Sequence, residues 1–133
     1  MKVAIVDDDE RICRSISRLL RVVGMHPSIF ASAEEFLSAR PSEIDCLLMD
    51  IRLGAGMSGL ELHRRLLDQR DGTPVIYLSA SDDPNFEAAA RRMGCAAFIR
   101  KGAPSDLILT ALARIREDRS LESTRRKEQT SRQ

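Results

Sequence analysis

Asp50 follows directly on the apolar run DCLLM (45–49) and is itself followed by Ile51. An uncompensated buried carboxylate is costly, so a chain that puts one there must neutralise its charge. The residues able to do this also follow apolar runs. Asp7, Asp8 and Asp9 come after KVAIV (2–6), Ser79 closes PVIYLS (74–79), and Lys101 comes just after AAFI (96–99). Gathered carboxylates repel one another unless a cation sits among them. A hard, oxygen-preferring ion such as Mg²⁺ fits, because it uses one or two carboxylates and keeps waters. Lys101 balances charge from the opposite side, and the Ser79 hydroxyl offers a donor to an incoming oxyanion. A carboxylate so supported can attack phosphorus and form an aspartyl phosphate. The metal and Lys101 would neutralise the transferring group. Each residue alone says little: an acidic triplet also suits a helix N-terminus. Their joint placement at the ends of apolar runs is far more specific.

That placement requires elements that deliver all the run ends to one rim. KVAIV, DCLLM, PVIYLS and AAFI read as short strands buried on both faces, and HPSIF (26–30) as a weaker strand kept near an edge by Pro27. Between them lie amphipathic helices. The first carries Ile12, Ile16, Leu19, Leu20 and Val23 on one face and Arg11, Arg14, Arg18 and Arg21 on the other, with Gly24 as its stop. Capping boxes at Ser32–Glu35 and Ser58–Glu61 open the second and third, and the third is expected to bury Leu60, Leu62, Leu66 and Leu67. Pro84 and Gly94 bracket the fourth, and PSDLILTALARI begins the fifth. Strand and helix alternate with short connections. The expected fold is α/β, a doubly wound five-stranded parallel sheet with helices on both faces. In such sheets the site lies beyond the C-terminal strand ends.

Composition is that of an ordinary globular domain: 133 residues, 43% hydrophobic, 31% charged, formal net charge +1. That charge carries no whole-chain argument for nucleic acid. The apolar N-terminal run is too short for a signal peptide or a membrane span, so a cytoplasmic protein without membrane partners is expected. Cys13, Cys46 and Cys95 fit no zinc spacing and read as reduced thiols. His26 and His63 show no partner in the sequence.

The segments IVDDDE, LLMDIRL, MSGLEL, PVIYLSA and AAFIRK, in this order and spacing, resemble bacterial response-regulator receiver domains of the CheY-like superfamily. The resemblance covers about residues 1 to 115. FASAEEFL further resembles receivers of two-domain, helix-turn-helix transcription regulators. It implies a flavodoxin-like (βα)5 fold with strand order 2-1-3-4-5. It also implies a phosphorelay signalling domain, not an enzyme, that takes a phosphoryl group from a sensor histidine kinase or a histidine phosphotransfer protein. By this resemblance Asp50 is the phosphoacceptor. Asp8 binds Mg²⁺ or Mn²⁺ directly, Asp7 largely through water, and the backbone carbonyl of Arg52 is a further ligand beside Asp50. Ser79 is the switch hydroxyl, Phe98 the rotating aromatic, and Lys101 the contact to the phosphoryl oxygens. Arg52 and Ser81 flank the site and tune hydrolysis. The change would be read on the surface of the fourth helix, fifth strand and fifth helix, where a weak phosphorylation-dependent homodimer is expected. Two departures stand out. Gly102 replaces the proline that usually follows the lysine, and the loop after Asp50 reads GAG (54–56) and is one residue longer. Both loosen the surrounding loops.

Two other functions compete. An aspartate-nucleophile phosphohydrolase of the haloacid dehalogenase type needs an aspartate two residues after the nucleophile, and Arg52 stands there. A DNA-binding regulator needs a further module, so this chain would be its isolated receiver, and nucleic acid is not expected for the chain alone. The expected division is a receiver over 1–116 and a polar tail over 117–133, a helix extension or a linker. Residues 114–133 hold seven Arg or Lys and four Asp or Glu, a net of +3. Glu122–Arg126 and Glu128–Arg132 have the spacing of helix-supporting pairs.

Overall fold

The apolar runs become strands because β-branched and leucine-rich segments can bury both faces of a parallel sheet. The computed structural model describes residues 1–131, so Arg132, and with it the Glu128–Arg132 pair, lies outside the described residues. In chain order the elements are β1 (Lys2–Val6), α1 (Glu10–Val22), β2 (His26–Phe30), α2 (Ala33–Ala39), β3 (Cys46–Asp50), α3 (Gly59–Asp68), β4 (Val75–Ser79), α4 (Pro84–Arg92), β5 (Ala97–Arg100) and α5 (Asp106–Ser131). The sheet has five parallel strands in the order β2-β1-β3-β4-β5. β3 and β4 are buried along their whole length, whereas β2, with Pro27, is an exposed edge strand.

β3, β4 and β5 each begin one residue later than the sequence suggested, and β3 and β5 also end one residue later. Asp45 is turned into the preceding loop by its bonds to Lys2: its amide donates to the Lys2 carbonyl and its carboxylate accepts the Lys2 N–H at 2.7 Å. Asp50 is therefore the last residue of β3, in register with Leu78.

Alternation along the strands splits the core into two layers. Ile5, Leu48 and Ile76 face Leu20 of α1 and Leu112 of α5. Val6, Leu47, Met49 and Tyr77 face Phe36 of α2, Leu62 of α3 and Ala90 of α4. Two helix faces differ from the sequence expectation. α1 buries Cys13, Ile16, Ser17 and Leu20, while Val23 is 44% exposed. α3 buries Gly59, Leu62, His63 and Leu66, a strict i, i+3, i+4, i+7 stripe, and leaves Leu67 46% exposed. A small or polar residue on the stripe is buried before an apolar residue off it.

The caps form as expected. Ser32 Oγ accepts the Glu35 N–H at 3.0 Å, and Ser58 Oγ accepts the Glu61 N–H at 3.1 Å. α5 continues as one helix through Ser131, with residues 116–130 exposed. Arg119, in this stretch, pairs with Asp45. No helix among the described residues is long and apolar enough to cross a membrane. The three cysteines are free thiols.

His63 is buried because it has a partner: its Nδ1 lies 2.8 Å from the Tyr77 hydroxyl. Burial pushes the imidazole pKa below its ordinary 6.5. The folded state then holds this proton less tightly than the unfolded chain. The stability that depends on neutral His63 is complete above pH 6.5 and is lost as pH falls below it. As pH falls below 6.5 the protein should lose stability through this group. His63→Gln should lack that part of the pH dependence in urea unfolding. Equal dependence in parent and variant would refute the assignment.

Candidate functional site

β1, β3, β4 and β5 run parallel, so their last residues meet on one rim. The acidic triplet after β1 divides its roles there. Asp9 is the N-cap of α1, its Oδ1 accepting from Arg11 N at 3.0 Å and Ile12 N at 3.3 Å. Asp7 turns inward and is 2% exposed, and Asp8 stays at the surface. The carboxylate oxygens of Asp7, Asp8 and Asp50 offer a set of atoms within 4.8 Å of one another. Lys101 Nζ lies 2.8 Å from Asp50 Oδ2 and 2.8 Å from Asp7 Oδ2.

The lysine is delivered by backbone pairing, since its N–H donates to the Ser79 carbonyl at 2.8 Å just past β5. Gly102 behind it has φ +90°, a conformation glycine adopts freely. Burial alone would lower the Lys101 pKa, but its contacts with Asp50 and Asp7 outweigh that and raise it. Burial pushes the Asp7 carboxyl up, more than Lys101 and the Asp9 amide pull it down. Asp7 Oδ2 is buried with no hydrogen bond among the described residues; Lys101 meets it as an ion contact and aligns its hydrogen bond with Asp50. Three carboxylates and one ammonium leave two negative charges at the rim. The excess negative charge fits a hard divalent cation, which Asp7, Asp8 and Asp50 could hold.

Next to this cluster is a cleft of about 300 Å³ walled by Asp50, Arg52, Ser79, Ser81 and Phe86 among others. Arg52 N donates to Asp50 Oδ1 at 3.2 Å, and its guanidinium lies over the Phe86 ring, 5.0 Å from the centroid. The Ser79 hydroxyl is engaged with Ser81, accepting its N–H at 3.1 Å and approaching its carbonyl at 3.5 Å. Phe98 does not wall the cleft. It packs half-buried against the layer containing Tyr77 and Ala90. In the loop after Asp50, Gly54 takes φ +75°, and a Cβ there would lie 3.5 Å from Asp8 Oδ2. Glu34 of α2 accepts the Met57 N–H at 2.6 Å and anchors the same loop.

Sequence reasoning missed Gly59 and Phe86. A Cβ on Gly59 would sit 2.2 Å from the carbonyl oxygen of Asp50, and the Gly59 N–H donates to the Ile51 carbonyl at 2.8 Å. α3 can start against the end of β3 because this residue has no side chain. The signal was a glycine just inside a capped helix, where propensity disfavours it.

Residues 3–113 match the response regulator receiver domain. The response regulator protein TodT of Pseudomonas putida is 31% identical over 111 residues, 83% of this chain and 48% of the relative. Nodulation protein W of Bradyrhizobium diazoefficiens is 32% identical over 127 residues, 92% of this chain and 56% of the relative. The transcriptional regulatory protein FixJ of Rhizobium meliloti is 33% identical over 116 residues, 86% of this chain and 56% of the relative. The chain spans about half the length of these relatives. Among solved structures, response regulator StyR superposes with a TM-score of 0.84 at 30% identity, covering 98% of this chain and 66% of the other. FixJ-N superposes with a TM-score of 0.79 at 32% identity, covering 87% and 93%.

The contact at Gly59 makes a sharp prediction. Gly59→Ala forces β3 and α3 apart beneath Asp50 and should lower stability in urea unfolding by about 1–3 kcal/mol. Gly72→Ala, where a Cβ meets nothing within 4 Å, should stay within about 0.5 kcal/mol of the parent. Equal stabilities for the two variants would contradict the packing account.

Proposed function

The chain belongs to the response regulator receiver domain family, and on that premise we propose that Asp50 is its phosphoacceptor, loaded by a sensor histidine kinase or a histidine phosphotransfer protein. Receivers are signalling domains of two-component systems rather than conventional enzymes, and they generally bind Mg²⁺ at an acidic pocket. The observation that carries the assignment is the Lys101 ammonium, 2.8 Å from both Asp50 and Asp7 beside the Asp8 carboxylate.

In the transfer a carboxylate oxygen of Asp50 attacks phosphorus. The bond from phosphorus to the donor's histidine nitrogen breaks, and that nitrogen keeps the electron pair and takes up a proton. Lys101 follows the charge from the carboxylate to the phosphoryl oxygens without leaving its place between Asp50 and Asp7. Asp7, Asp8, Asp50 and the backbone carbonyl of Arg52 would hold Mg²⁺ or Mn²⁺. Bound there, the ion supplies positive charge to the oxygens of the transferring group. Arg52 occupies the position an aspartate acid–base would need in a phosphohydrolase, which favours storage of the phosphoryl group over rapid turnover.

Ser79 and Phe98 form the switch in this reading. A phosphoryl group brings about −1.5 to −2 charge and strong acceptors. The Ser79 hydroxyl then leaves Ser81 for the new acceptor, and Phe98 turns inward beneath α4. The face made by α4, β5 and α5 changes and supports a weak homodimer, since exposed ion pairs contribute only about 0–1 kcal/mol each. A cytoplasmic setting belongs to this reading and is supported by the free thiols. A second reading places the receiver within a transcription regulator, with residues 117–133 as the helix extension or linker. It is favoured by relatives named as transcriptional regulators that are about twice the matched length.

Incubation with a small-molecule phosphodonor and Mg²⁺ should add one acid-labile phosphoryl group by mass, and Asp50→Asn should gain none. Divalent-ion affinity should fall at least about tenfold in Asp8→Ala, as for loss of a direct ligand. Equal yield in the Asp50 variant, or unchanged affinity in the Asp8 variant, would reject the respective role.

Amide exchange of the phosphorylated and unphosphorylated protein tests the switch. Protection should change along α4 and β5, and identical patterns there would rule out the proposed surface.

A further inference from the structure

We propose that Phe86 is a positioning residue for the lifetime of the phosphoryl group: its ring holds the Arg52 guanidinium at the mouth of the cleft over Asp50 and competes with phosphorylated Asp50 for it. The inference rests on Asp50 as phosphoacceptor and concerns what happens after loading.

The cleft of about 300 Å³ has room for several waters at roughly 30 Å³ each, so a phosphoryl group placed in it is open to attack unless a side chain covers it. Two other cations stand close by, and both are engaged. Lys101 lies between Asp50 and Asp7, and Arg100 pairs with Asp82 in the loop before α4. Arg52 is different. Among the described residues its guanidinium has the Phe86 ring as its partner, at 5.0 Å, while its own N–H is bonded to Asp50 Oδ1. Its backbone is thus fixed beside the phosphoacceptor, and its charged end is parked on a π face one wall away.

The Phe86 ring is half-buried, but Arg52 is exposed, and an exposed cation on a ring is held more weakly than a planar guanidinium forked onto phosphoryl oxygens. Loading of Asp50 therefore draws Arg52 off Phe86 and across the cleft. There it occupies the side from which water must come. In hydrolysis water attacks phosphorus, the bond to the Asp50 oxygen breaks, and the carboxylate leaves with the electron pair as inorganic phosphate departs with the water's oxygen and protons. The guanidinium slows this step by displacing water and holding the phosphoryl oxygens in place. Phe86 opposes it by keeping part of the population of Arg52 parked. Phe86 lies in the first turn of α4, so the contact also joins Arg52 to the start of that helix.

The test is the decay of acid-labile phosphate after donor removal, in the full chain, for the parent, Phe86→Leu, Arg52→Ala and the double variant. Phe86→Leu should lengthen the lifetime about twofold to fivefold, the factor a cation–π contact of this exposure supplies. Arg52→Ala should shorten it, and the double variant should decay like Arg52→Ala alone. Phe86→Tyr, which keeps a π face and the packing, should decay like the parent. The inference is overturned if Phe86→Leu leaves the lifetime unchanged, shortens it, or shifts it equally with and without Arg52. In those cases Asp50 stands as phosphoacceptor, whereas a parent protein that takes up no phosphate would remove both assignments.

Discussion

The site depends on one ammonium group. Asp7 is buried and Asp50 nearly so, and neither belongs at the end of a sheet strand without a cation beside it. Lys101 serves both. It reaches them only because β5 lies beyond β4 and its final N–H bonds back to Ser79. The strand order is thus also an electrostatic arrangement: β1 and β3 bring the acids side by side, and the far edge returns the base. Removing one member of a buried charged set leaves the others uncompensated, typically at about 3–5 kcal/mol. The fold and the chemistry are held by the same contacts.

Much of this was legible in the amino-acid sequence. Buried parallel strands announce themselves as short apolar runs, and the polar residue that ends each run marks the rim. Ser32 and Ser58 marked two helix starts to the residue. The finer layer was not legible, because it consists of contacts between residues distant in sequence. His63 had no visible partner, yet Tyr77, fourteen positions away, bonds to it across the α3–sheet interface. Leu67 and Val23 read as core because they are apolar, and geometry put His63 and Ser17 inside instead. Arg52 and Phe86 meet across two connections that local patterns do not relate. Which atoms each acid of the triplet engages depends on the turn into α1, where Asp9 takes the cap and leaves Asp7 free to point inward.

The loop after Asp50 is held from outside the strand it follows. Gly54 folds it back toward Asp8, and Glu34 of α2 fixes Met57. Gly59 then lets α3 begin in contact with the Asp50 backbone. With the loop held in this way, the carboxylates of Asp7, Asp8 and Asp50 come together at the rim.

Helix α5 has mechanical consequences. Its inner half is part of the core through Ile108, Leu112 and Ile115, and Arg119 is tied to Asp45, which also holds the start of β1. From Arg119 to Ser131 the helix is a bare rod about 18 Å long at about 1.5 Å per residue. A rod fixed at one end is a lever arm. A tilt of about 10° at its base carries its far end about 3 Å, while the packed half scarcely moves. A small rearrangement of the face made by α4, β5 and α5 would thereby be magnified into a displacement on the scale of a side-chain contact, at the end of the sheet opposite the acidic rim.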